Sequence, residues 1–118
     1  AGTLDPWLIP LAEKAEDVGI LAAHDIGFNH VSFNLRRHVF ADRGLRRALT
    51  HAIDRDRIID ALLDGRAIAG SSLIAPANRF WHNPDVEVLA FDISAAFAEL
   101  DAAGFGWDEE GKLLMPAR

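Results

Sequence analysis

The residue types able to do chemistry are few, and their spacing narrows them further. The 118-residue chain carries five histidines and no cysteine, so thiolate nucleophiles, sulfur-ligated metals and disulfides are all excluded. His24 with His30, and His38 with Asp42, are partial ligand sets for a metal. No H-E-x-x-H or comparable spacing completes either, and no metal is expected. Asp108-Glu109-Glu110 before Gly111 has the acidity of a calcium loop but lacks the alternating oxygen ligands and the distal glutamate, so a solvated hairpin turn is expected there. There is no G-x-S-x-G, no P-loop and no G-x-G-x-x-G after a strand; Gly104-Phe105-Gly106 falls at a helix end. Neither a catalytic group nor a cofactor is expected.

The remaining carboxylates of note have a structural use. Asp42, Asp54 and Asp92 each stand just ahead of a stretch with helical periodicity, where a carboxylate accepts backbone N–H bonds and favours the positive end of the helix dipole. After Asp42, the residues Leu45, Ala48, Leu49, Ala52 and Ile53 recur at three- and four-residue steps. After Asp54, Ile58, Ile59, Leu62 and Leu63 fall on one face, and Gly65 sits where a left-handed C-terminal residue is wanted. Two consecutive helices with a tight joint follow. Asp92 opens a third helix through about Ala103, expected to bury Ile93, Phe97 and Leu100, with Gly104 ending it.

Around these helices the reading is looser. Leu4 to Glu16, with Asp5 as N-cap, Pro6 in first position and Trp7, Leu8 and Leu11 at helical spacing, reads as a short helix. Val18 to Ala22 and His30 to Leu35 have strand character, separated by the turn formers His24, Asp25, Gly27 and Asn29. Ala67 to Val88 reads as a long irregular connection anchored by Phe80 and Trp81, and Lys112 to Met115 as the start of a strand with nothing left to pair with. The fold class is therefore α+β, a small sheet from the early strands packed by two consecutive helices and a later third helix.

Composition bounds the partners. Half the residues are apolar and the length is that of one ordinary domain, so residues 1–118 are expected to form a single domain with one core. A net charge of −6, with bases interleaved among acids at Arg46, Arg47, Asp54, Arg55 and Asp56, supplies no cationic field for nucleic acid. No apolar run approaches the roughly 20 residues that span a bilayer. Either the protein is cytosolic or an export signal lies elsewhere, and the abrupt ends at Ala1 to Thr3 and Met115 to Arg118 suggest excision from something longer.

The order of pieces then resembles a known family. Phe33-Asn34-Leu35, Phe40-Ala41-Asp42-Arg43, Arg46-Arg47-Ala48-Leu49, Ala52-Ile53-Asp54-Arg55 and Ile58-Ile59 are similar to the central signature of family 5 bacterial extracellular solute-binding proteins. Pro76, Trp81, Asn83-Pro84-Asp85, Phe91-Asp92 and Ala102-Ala103-Gly104-Phe105 continue it. His38 and Ile93 stand where the family usually has proline, and Gly44 where it usually has a larger residue. Glycine there is expected to weaken the helix by up to about 1 kcal/mol relative to alanine.

The resemblance implies a fragment of the second lobe of a two-lobed, periplasmic-binding-protein-like receptor, the substrate-binding component of an ABC importer for peptides, nickel or related small solutes. It implies a periplasmic or extracellular protein delivering cargo to an ABC permease and associated with the membrane only through an anchor outside this chain. It places Phe28, Asn29 and His30 near the inter-lobe cleft, with Trp81 a second candidate. Packing against the segment's own helices is the competing role for these side chains. Two rivals remain at this stage. One is the solute-sensing module of a transcriptional regulator; the other is an interaction domain that docks through Phe80 and Trp81.

Overall fold

Three carboxylates set where the longer helices begin. In the computed structural model, which describes residues 4–116, a 3-10 turn at Pro6–Leu8 leads into α1 (Ile9–Ala12). There follow α2 (His38–Ala41), α3 (Arg43–His51), α4 (Arg55–Leu63), α5 (Ile93–Ala102) and a hairpin of β1 (Gly106–Trp107) and β2 (Leu113–Leu114). Residues Ala1 to Thr3 and the final two positions, the outer parts of the abrupt ends noted above, lie outside the described residues. Asp42 Oδ1 accepts from Leu45 N, Asp54 Oδ1 from Arg57 N and Asp92 Oδ1 from Ala95 N, each at 2.9 Å. All three are N-caps, as expected.

Asp92 has a second tie. Its backbone N–H donates to His51 O at 2.9 Å, joining the start of α5 to the end of α3. Because that bond belongs to the backbone, Asp92→Ala should remove the cap alone and lower stability by about 1 kcal/mol in urea unfolding. Asp92→Asn, which keeps an acceptor, should recover most of the loss.

Helix ends follow local chemistry as well. Asp64 and Gly65 both adopt positive φ (49° and 71°) and stop α4. Gly104 (φ 81°) stops α5, with Gly104 N donating to Asp101 O at 2.9 Å and Phe105 N to Leu100 O at 3.0 Å. This pair of bonds satisfies two carbonyls that the helix end would leave free. Phe105, thereby turned inward, is buried.

Packing centres on α3 against α5. Leu45 and Ala48 of α3 and Ala96 of α5 are buried, and Arg47 Nε donates to Glu99 Oε1 at 2.6 Å beside them. The hydrogen bond that Arg47 donates to Glu99's carboxylate, and then that carboxylate's charge, raise the Arg47 pKa further above its ordinary value. The interface is close because Gly44 has no side chain. An added Cβ would lie 2.6 Å from Ala103 Cβ and 3.0 Å from Glu99 O. The glycine expected to weaken α3 is thus what lets α5 approach.

Several expectations are corrected. Ile93 and Phe97 are exposed, because α5 presents the small residue Ala96, and its C-cap Ala103, to α3; Phe97 instead meets Trp107 with ring centroids 5.7 Å apart. The first helix is shorter than Leu4 to Glu16, giving way to turns beyond Ala12. The two early segments, Val18 to Ala22 and His30 to Leu35, join no sheet among the described residues. The sheet comes from the other end of the chain, where Lys112 to Met115 does find a partner. Gly106 pairs with Leu114 and Trp107 with Leu113, antiparallel, around a turn in which Asp108 Oδ1 accepts from Glu110 N (3.1 Å) and Lys112 N (2.7 Å). The α+β class with a small sheet and few helices holds, with this different sheet.

Much apolar surface stays uncovered. The chain exposes 9810 Å², where a compact monomer of this length exposes about 6300 Å². Its radius of gyration is 19.4 Å against about 13.5 Å for a compact domain of the same length. Leu21 is 95% exposed, and no residue of α4 is buried, so the apolar face of that helix, with Leu62 at 75%, is only partly covered by the described residues. Among the described residues, no helix is long and apolar enough to cross a membrane.

Candidate ligand-facing site

The α3–α4 joint is the frame on which the long connection hangs. His51 Nδ1 lies 2.8 Å from Ala90 O; a carbonyl only accepts, so this nitrogen carries the proton. Arg55, the first residue of α4, donates through Nη1 to Gly70 O at 3.2 Å and through Nη2 to Leu89 O. Although acids flank it in sequence, Arg55 grips two backbone carbonyls. Asp54, Arg55 and Asp56 line a concavity there with Ala69, Val88, Ala90 and Phe91.

The connection itself is ordered by local bonds. Asn78 N donates to Ala75 O (2.9 Å), His82 N to Asn78 O (2.9 Å), and His82 Nδ1 to Ile74 O (3.0 Å). Ala75 is buried. At the far side of this turn Phe80 and Trp81 meet edge to face, centroids 4.9 Å apart at 84°, and both are open to solvent, Trp81 at 67%.

Phe28, Asn29 and His30 are all exposed, and the rings of Phe28 and His30 lie 5.3 Å apart, tilted by 47°. The structure thus brings Phe28 and His30 together. The ring of Trp81 pairs with Phe80. The early segment does reach the long connection at His24, which shares a shallow concavity with Ile68, Pro76, Ala77 and Arg79. Arg79 beside it makes a poor companion for a metal-bound imidazole, and no group of three or more potential ligands gathers among the described residues.

Phe33 packs on Phe40 with centroids 5.6 Å apart, and Asn34 serves backbone groups: its Oδ1 accepts from Arg36 N (3.1 Å) and its carbonyl from Arg37 N (2.9 Å). Arg46 was missed. Its Nη1 donates to the carbonyls of Phe40, Ala41 and Asp42 at 2.7, 2.9 and 3.1 Å, closing the C-terminal end of α2 just before α3 begins. A basic residue one turn into the next helix was the available signal.

The family model described as bacterial extracellular solute-binding proteins, family 5 Middle, matches residues 1–117, and the chain belongs to that family. It is 28% identical over 101 residues to the dipeptide-binding protein of Escherichia coli K12, covering 85% of this chain and 18% of that protein. It is 31% identical over 102 residues to protein XP55 of Streptomyces lividans, covering 86% and 18%. Among solved structures, NikZ from Campylobacter jejuni in complex with Ni(L-His) superposes with a TM-score of 0.77 at 25% identity, covering 98% of this chain and 23% of NikZ. The chain spans about a fifth of the length of the curated relatives it matches.

Proposed function

We propose that this chain is part of the second lobe of a two-lobed receptor that captures peptides or related small solutes for an ABC importer. The observation that carries this reading is a fold match covering nearly all of this chain but less than a quarter of its neighbour, in a segment whose own apolar surface is largely uncovered. Residues 1–118 then act as one unit within the larger receptor, and apolar faces such as that of α4 are covered by polypeptide from elsewhere in it. The receptor works outside the cytoplasmic membrane, periplasmic or extracellular. It is held to the membrane through an anchor beyond this chain and hands cargo to a permease.

Binding without chemistry fits the side chains available, and no enzymatic step is assigned. In a two-lobed receptor the solute is enclosed when the lobes close about a hinge, so affinity needs contacts from both. Phe28, Asn29, His30 and Trp81 are this segment's contribution in the proposal. Phe28 and Trp81 supply apolar area at low entropic cost, and Asn29 and His30 supply donors and acceptors for a peptide backbone.

Calorimetry tests the proposal. The full-length protein should bind dipeptides or oligopeptides with a saturable heat, whereas the 118-residue chain alone should give none. Micromolar binding to the isolated chain would contradict the requirement for two lobes. A full-length protein indifferent to every peptide would remove the cargo class.

A further inference from the structure

We propose that Arg55 is a positioning residue, a clasp that sets how the connection between Gly70 and Leu89 presents Trp81 to the solute. The inference rests on the reading of Trp81 as a cleft residue and adds to it the device that aims the ring. Both ends of the connection are held by one guanidinium, through Nη1 to Gly70 O and Nη2 to Leu89 O. A planar fork fixes the spacing of its two acceptors, which a single ammonium on a flexible stem does not. Arg55 spends its charge on neutral carbonyls although Asp54 and Asp56 adjoin it in sequence; the ion pairs found among the described residues are Arg47–Glu99 and Arg66–Glu13.

The two ends are not held equally. The Leu89 end has further ties, from His51 Nδ1 to Ala90 O and from Asp92 N to His51 O. At Gly70 the bond from Arg55 is the tie to the helical frame, so loss of the guanidinium frees that end first. Beyond it, bonds among Ser72, Ile74, Ala75, Asn78, Trp81 and His82 stiffen the connection internally. A shift at Gly70 is then carried to the Trp81 ring instead of being absorbed on the way.

The test uses the full-length protein with Arg55→Gln and Arg55→Lys, read by amide hydrogen exchange without solute and by calorimetry with a panel of dipeptides and tripeptides. Arg55→Gln should speed exchange across residues 71–83 while α3 and α5 keep their protection, and should weaken the best-bound peptide about fivefold. Arg55→Lys should behave like Arg55→Gln, because charge alone does not bridge two carbonyls. Unchanged exchange, a rise spread over the whole protein, full rescue by lysine, or faster exchange with unaltered affinity would each overturn the proposal. If the unmodified protein binds no peptide of the panel, the cargo reading fails by itself; the exchange measurements still decide whether Arg55 is a clasp.

Discussion

Gly44→Ala is expected to destabilise the protein by about 1–2 kcal/mol, against the direction helix propensity predicts. Alanine within α3 would contribute up to about 1 kcal/mol by propensity alone. The new methyl, however, would lie 2.6 Å from Ala103 Cβ, 3.0 Å from the backbone oxygen of Glu99 and 3.2 Å from Asp42 Oδ1, the oxygen that caps α3. Overpacking of this kind costs about 1–3 kcal/mol, and two of these neighbours belong to a helix whose backbone must shift as a body. Urea unfolding of the full-length protein gives the sign directly. Ala103→Gly in the same background removes the nearest clash and leaves that with Glu99 O, so the double variant should recover part of the loss. A stabilised Gly44→Ala would mean that α3 and α5 do not pack as described.

Gly44 also marks the limit of what a sequence discloses. Its close approach to Ala103 joins residues far apart in the chain, and nothing local signals it. Asp42, Asp54 and Asp92 were legible for the opposite reason: a cap bonds to an N–H three residues away, so residue type and spacing determine it. Ile93 and Phe97 show the intermediate case. Periodicity identified the helix but not the face its neighbour would take, and the small residues of α5 won because they allow the closer contact.

The strands follow the same logic. Val18 to Ala22 and His30 to Leu35 have the composition of strands, yet a strand exists only where another edge pairs with it, and the described residues supply none. Lys112 to Met115 gains its partner from Gly106 and Trp107 across one tight turn. The acceptors of Arg55 were not legible, because carbonyls of a distant connection leave no trace in the side-chain sequence. The candidate site was readable as residue types, an aromatic and polar trio and a tryptophan. Its arrangement was not: the concavity that His24 shares with Ile68, Pro76, Ala77 and Arg79 of the long connection left no mark in the spacing of residue types.

Trp81→Ala is expected to weaken solute binding by the full-length protein about thirtyfold while leaving the unfolding midpoint of the solute-free protein nearly unchanged. Within this chain the Trp81 ring touches Phe80 edge to face and is otherwise open, so truncation removes little packing from the segment itself. A large aromatic left uncovered by its own fold and mounted on a braced turn has two possible partners: the solute, or the rest of the receptor. If the solute covers it, the loss belongs to binding and is of the size that a buried aromatic anchor supplies, about 2 kcal/mol. If the other part of the receptor covers it, the same substitution lowers the midpoint without solute and leaves affinity per folded molecule intact. Calorimetry and thermal unfolding on one protein preparation separate these outcomes, and the second would remove Trp81 from the binding site while leaving the turn that carries it as an internal contact of the receptor.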